Sequence, residues 1–154
     1  MSKAVHLAKR FVLSLVPSQV EEIERQWVHS VLSLGEFDLW NKMMVQDRRH
    51  SVLVGRRFVK YRPTASHVEI AGALLHDVGK SASRLGTLAR VFATLVGPRT
   101  KRLRQYHNHE NIGAEMLRSI GSDETTISMV EGSCVSGLKD ALDRADDIDR
   151  KSVV

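Results

Sequence analysis

The chain of 154 residues is long enough for one domain with a real core, and its 42% apolar content fits an ordinary globular protein rather than a disordered one. No apolar run approaches the roughly 18–20 residues of a membrane span, and Phe11-Val12-Leu13 behind Lys9 and Arg10 is too short for a signal-peptide core. A cytoplasmic protein with no membrane contact is therefore expected, and its formal net charge of +5 is unevenly spread.

Helical spacing dominates from end to end, with no clean alternating strand pattern. A first helix is predicted over about residues 3–14, stopped by Pro17. Ser18-Gln19-Val20-Glu21 reads as a capping box opening a helix to about Leu34, with Gly35 ending it. A short helix over Phe37 to Gln46 follows, and Asp47 is placed to cap the next, which runs to about Tyr61 before Pro63. Ser66 to Val78 forms another, closed by Gly79, and about residues 84–96 a further one, ending at Gly97-Pro98. His109 to Ile120 stops at Gly121. Ser122 or Asp123 caps a segment to about Cys134, and Gly137 precedes a last helix to about Arg150. The expected fold is all-α, an irregular helical bundle.

Arg99, Lys101, Arg102 and Arg104 form a basic cluster, which invites a phosphate-bearing partner. Only Tyr106 stands close by for stacking, so nucleic acid is not an expected partner and a solvated loop is the simpler reading. The lone Cys134 has no internal disulfide partner and reads as a small buried apolar residue.

The chemistry centres on His76-Asp77. Val68 to Leu75 is apolar on nearly every side, so this helix should be buried, and it ends directly in the His-Asp pair. An ionised aspartate there is costly unless paired, and a metal ion is one way to satisfy both side chains. His50 shares a helical face with Leu53, Val54 and Phe58, so it should point inward, unlike Arg49 or Arg56. Asp146 falls four residues after Leu142 and eight after Leu138, on the apolar stripe, whereas Asp143 pairs with Lys139 at the surface. His50, His76, Asp77 and Asp146 together suit one divalent ion, with manganese, iron, cobalt, nickel, magnesium and zinc not distinguished. No cysteine joins the set, which argues against structural zinc.

These residues carry a resemblance. The order His, then His-Asp, then a distant Asp, all on helices, resembles the HD-domain metal-dependent phosphohydrolases. It stands here as Asp47-Arg48-Arg49-His50-Ser51, Ala73-Leu74-Leu75-His76-Asp77-Val78-Gly79-Lys80 and Arg144-Ala145-Asp146. The resemblance covers roughly residues 47–150. It divides the chain into an N-terminal helical extension, 1–46, packed on the core, and the domain itself, 47–154. His109-Glu110-Asn111-Ile112-Gly113-Ala114 looks like the histidine-containing stretch many members carry after His-Asp. The one or two histidines that usually follow are missing from residues 124–137. One ion is therefore expected, with His109 lining the pocket beside the substrate.

The resemblance implies hydrolysis of a phosphate ester, most economically of a nucleotide, by a metal-activated water. It implies Asp77 as both ligand and proton acceptor. Lys80 is placed to stabilise charge building on the phosphate, and Arg49 to reach the pocket mouth in a similar role. The expected partner is a small phosphorylated substrate, and a homodimer is left open. A second reading is a non-catalytic metal-binding module for regulation or protein interaction, with Trp27, Phe37 and Trp40 as apolar anchors against core packing.

Overall fold

Ser33 and Ser66 decide where two of the helices begin. Each serine hydroxyl accepts the backbone N–H three residues on, while the side chains of Glu36 and Glu69 accept the N–H groups of Ser33 and Ser66. The computed structural model describes residues 19–83 and 108–151. Among them are α1 Glu22–Val31, α2 Leu34–Asn41, α3 Val45–Tyr61, α4 His67–Leu75, a 3-10 helix Val78–Ser83, α5 His109–Ser119, α6 Glu124–Glu131 and α7 Ser136–Lys151, and no strand. The expected all-α bundle is what forms. None of these helices is long and apolar enough to cross a membrane.

Several boundaries differ from the sequence reading. The Ser33–Glu36 box starts α2 three residues earlier than expected and takes Gly35 into its first turn, so Gly35 does not terminate α1. At the end of α1, Leu32 turns extended instead. The N-cap of α1 is Glu21, without a side-chain cap bond, and Ser18 lies outside the described residues. Asp47 does not cap α3: the helix begins at Val45 after Met44, which leaves Asp47 in its first turn, buried. The helices expected over residues 3–14 and 84–96, and the basic cluster at 99–104, lie outside the described residues.

Helix α4 is central, as its apolar sequence requires: Ile70 to Leu75 are all buried. It packs against α1, α3 and α6, while α7 lies along α3, and the 3-10 helix and α6 both pack on α5. One apolar cluster joins Val28 of α1 and Trp40 of α2 to Leu74, Leu75, Leu117 and Ile127. A second joins Val54 and Phe58 of α3 to Met129 of α6 and to Leu138, Leu142 and Ala145 of α7. Phe37 and Trp40 stack on each other in the core, and Arg56 covers the Trp27 ring at 3.8 Å. Trp40 is fully buried, so it presents no surface to a partner.

Helix α5 and helix α6 end alike. Gly121 and Gly132 take φ of 73° and 81°, a conformation that favours glycine, and each helix closes with paired backbone bonds into its last turn. Gly79 has a different task. It does not stop a helix; it lies inside the 3-10 segment, where an added Cβ would stand 1.8 Å from the carbonyl oxygen of His109 and 2.7 Å from the amide nitrogen of Gly113. Only a residue without a side chain lets the turn after His76-Asp77 rest directly on the start of α5.

Candidate metal centre

Three elements deliver the central side chains. The α4 helix ends at Leu75, and the chain turns through His76 and Asp77 into the 3-10 helix. Helix α3 brings His50, and α7 brings Asp146. The inward phase expected for His50 holds for Val54 and Phe58, both fully buried, but not for Leu53, which is half exposed. On α7, Leu138 and Leu142 are buried, and Asp146 continues their stripe at 25% exposure.

His76 Nδ1 lies 2.8 Å from the carbonyl oxygen of Ala73. A carbonyl only accepts, so Nδ1 donates, and whenever the ring carries one proton the lone pair is on Nε2. Nε2 is buried and has no hydrogen-bond partner among the described residues. It faces Asp77 Oδ2 at 3.5 Å and Asp146 Oδ1 at 3.8 Å, both too far for a hydrogen bond. A buried nitrogen with an unused lone pair, oriented by a bond from its other ring nitrogen and facing two carboxylates, fits a metal ligand.

The other atoms converge on the same point. His50, His76 and Asp77 each offer one ligand atom, and these lie within 4.8 Å of one another. The two imidazole rings sit 5.5 Å apart at 60°. His50 Nε2 donates to Asp146 Oδ1 at 2.8 Å, so all four residues singled out in the sequence meet here. Burial pushes the Asp77 carboxyl up, but His76, the Lys80 ammonium and His109 outweigh it and hold it at about 2. For Asp146 the hydrogen bond from His50 dominates; with the nearby His76 it holds the carboxyl below the usual range against partial burial and the Asp77 charge. Both carboxylates are thus kept in the charged form that binds cations.

Lys80 and His109 flank Asp77 on opposite oxygens. Lys80 Nζ donates to Oδ2 at 2.6 Å, and His109 Nε2 lies 3.5 Å from Oδ1. The close contact of Gly79 with His109 explains how α5 reaches this position. Arg49 is exposed and does not line the cavity around the site. His29 and His67 are exposed, His29 with its ring edge-on to Phe37.

The four side chains open into a cavity of about 530 Å³. Its wall also carries Asp47, Glu110, Asp143 and Lys139, none of which the sequence reading placed there. The signals were present: Asp47 lies three residues before His50, Glu110 follows His109, and Lys139 stands one heptad before Asp146. Lys139 and Asp143 do approach each other, at 3.9 Å, but at the cavity wall. Five carboxylates against two lysines give this cavity an excess of negative charge before any cation enters, so it attracts cations first.

A family model described as HD domain matches residues 48–150, about two thirds of the chain. No curated protein and no solved structure is similar enough to match.

Proposed function

Because the chain belongs to the HD-domain family, we propose that it is a metal-dependent phosphohydrolase that cleaves a small phosphate ester, with a nucleotide as the most economical substrate. The observation that carries this reading is the meeting of His50, His76, Asp77 and Asp146 at the floor of a cavity large enough for a nucleotide-sized ligand. In this reading those four residues hold one divalent ion. A bound divalent ion supplies a water of lowered pKa and a counter-charge for phosphoryl oxygens. That counter-charge is needed, because the carboxylates of the cavity would otherwise repel a phosphate.

The protein's own groups do the rest. His76 keeps Nε2 directed inward through its Nδ1 bond to Ala73. Asp77 acts as ligand and orients the attacking water. His109, 3.5 Å from Asp77 Oδ1, stands within reach of the proton that leaves that water, and an imidazole nitrogen can accept it. Lys80 fixes the rotamer of Asp77 through its 2.6 Å bond and lends positive charge to the same end of the cavity.

The test is elemental analysis of the purified protein together with phosphate release from a panel of nucleotides and generic phosphate esters, with manganese or cobalt added. Metal-dependent release that His76→Ala abolishes is the expected result. Bound metal with no turnover across the panel would overturn the catalytic reading and leave a metal-binding regulatory module.

A further inference from the structure

The cavity contains two ammonium groups, and they are held very differently. Lys80 is hydrogen-bonded to Asp77 at 2.6 Å, deep beside the candidate metal ligands. Lys139 lies 3.9 Å from Asp143, beyond hydrogen-bond reach, and both side chains of that pair are about half exposed. Such an exposed i,i+4 pair is held weakly. Lys139 can therefore turn to another anion at little cost.

Helix geometry fixes where that anion would sit. Lys139 and Asp146 are seven residues apart on α7, which places them about 20° apart around the helix and about 10 Å apart along it. Both line the same cavity. One wall of α7 thus presents a candidate metal-binding carboxylate at one end and a weakly paired cation at the other. Lys139 Nζ and Glu110 Oε2 both lie near Gly132: a Cβ there would stand 3.9 Å from each, an ordinary van der Waals distance. Glu110 lines the cavity near Lys139 and would repel an anion that strayed from it, which narrows where a second negative group can lie.

We propose that Lys139 is a specificity-determining residue that binds a second anionic group of the substrate, remote from the phosphate held at the metal end. The preferred substrates are then two-ended anions: phosphate esters with another phosphate or a carboxylate at the far end of a compact body. This rests on the phosphohydrolase reading above for the identity of the first group, but the binding role of Lys139 stands independently of turnover.

A matched pair of compounds tests it, phenyl phosphate and 4-carboxyphenyl phosphate, which differ only in the second anion. The manganese-loaded wild-type protein and the K139Q and K139R variants are compared in two ways, by calorimetric binding and by kcat/KM. The wild type is expected to favour the carboxylated compound by about tenfold, the worth of one charge-assisted hydrogen bond. K139Q brings that ratio close to one, and K139R retains most of it. A wild type with no preference, or a preference that survives K139Q, overturns the proposal. The second of these is what a lysine that merely braces the end of α6 would give, since its loss would weaken both compounds alike. Binding preference without turnover of either compound would sink the phosphohydrolase reading and leave Lys139 as the anion-binding residue. Turnover of both without preference would do the reverse.

Discussion

His50 and Asp146 are separated by 96 residues in sequence, and their side chains meet at 2.8 Å between Nε2 and Oδ1. The contact clamps α3 to α7 at the end of the second apolar cluster, where Leu142 and Ala145 of α7 pack near Val54 and Phe58 of α3. Apolar packing sets the spacing of the two helices, and the polar pair uses it.

That relationship predicts a selective loss. Asp146→Asn keeps the size of the side chain and removes its charge. It should weaken manganese binding, measured by calorimetry, by at least the roughly 10–100-fold that loss of an outer-shell partner costs. Asp147→Asn, one residue on and exposed, should leave affinity unchanged. Equal losses in the two variants would mean that bulk negative charge on α7, not the position of Asp146, attracts the ion.

Metal binding should also appear as stability. A ligand that binds only the folded state at a hundred times its Kd adds about 2.7 kcal/mol. Thermal melts of the metal-free protein should therefore shift upward with added manganese. His76→Ala should lose the shift, because the buried Nε2 that faces both carboxylates is gone. An unchanged shift in that variant would place the ion elsewhere.

Gly79 offers a backbone test. The 1.8 Å approach to the His109 carbonyl cannot be relieved by a side-chain rotation, so Gly79→Ala must push the 3-10 helix away from α5. We expect a loss of about 1–3 kcal/mol by urea denaturation, with lowered activity as His109 moves from Asp77. Gly137→Ala, near the start of α7 with nothing within 4 Å of the added methyl, should be neutral or slightly stabilising. Similar costs at both sites would contradict this close approach of the two backbones.

Glu69 gives the pH dependence of the scaffold. Partial burial pushes its carboxyl up, but the bonds from Ser66 and the Arg62 ion pair at 3.0 Å outweigh this and hold it below the usual range. A depressed folded-state value means stability that is fully present above the unfolded value of about 4.3 and is lost as pH falls through the folded value. Glu69→Gln should accordingly flatten the acid limb of the urea midpoint plotted against pH. An unchanged acid limb would show that the capping box does not contribute through its charge.

The helical class, the buried helix that ends in His76-Asp77, and the inward faces bearing His50 and Asp146 were legible in the order of residues alone. These follow from apolar periodicity along one element, a local property. The sequence also carried enough order, His then His-Asp then Asp, for the family to be read from residue types alone. The remaining features depend on distances between elements. Gly79 reads in sequence as a helix stop and proves to be the contact point with His109. Lys80 reads as a group beside the substrate phosphate, and its bond to Asp77 emerges only when the chain folds. Lys139 reads as half of a surface pair and lines the cavity. Trp40 reads equally as core or as anchor and is fully buried. Periodicity states which side of a helix faces inward, but not which neighbour waits there. That is fixed by how closely two backbones can approach, and around this site a glycine sets the distance.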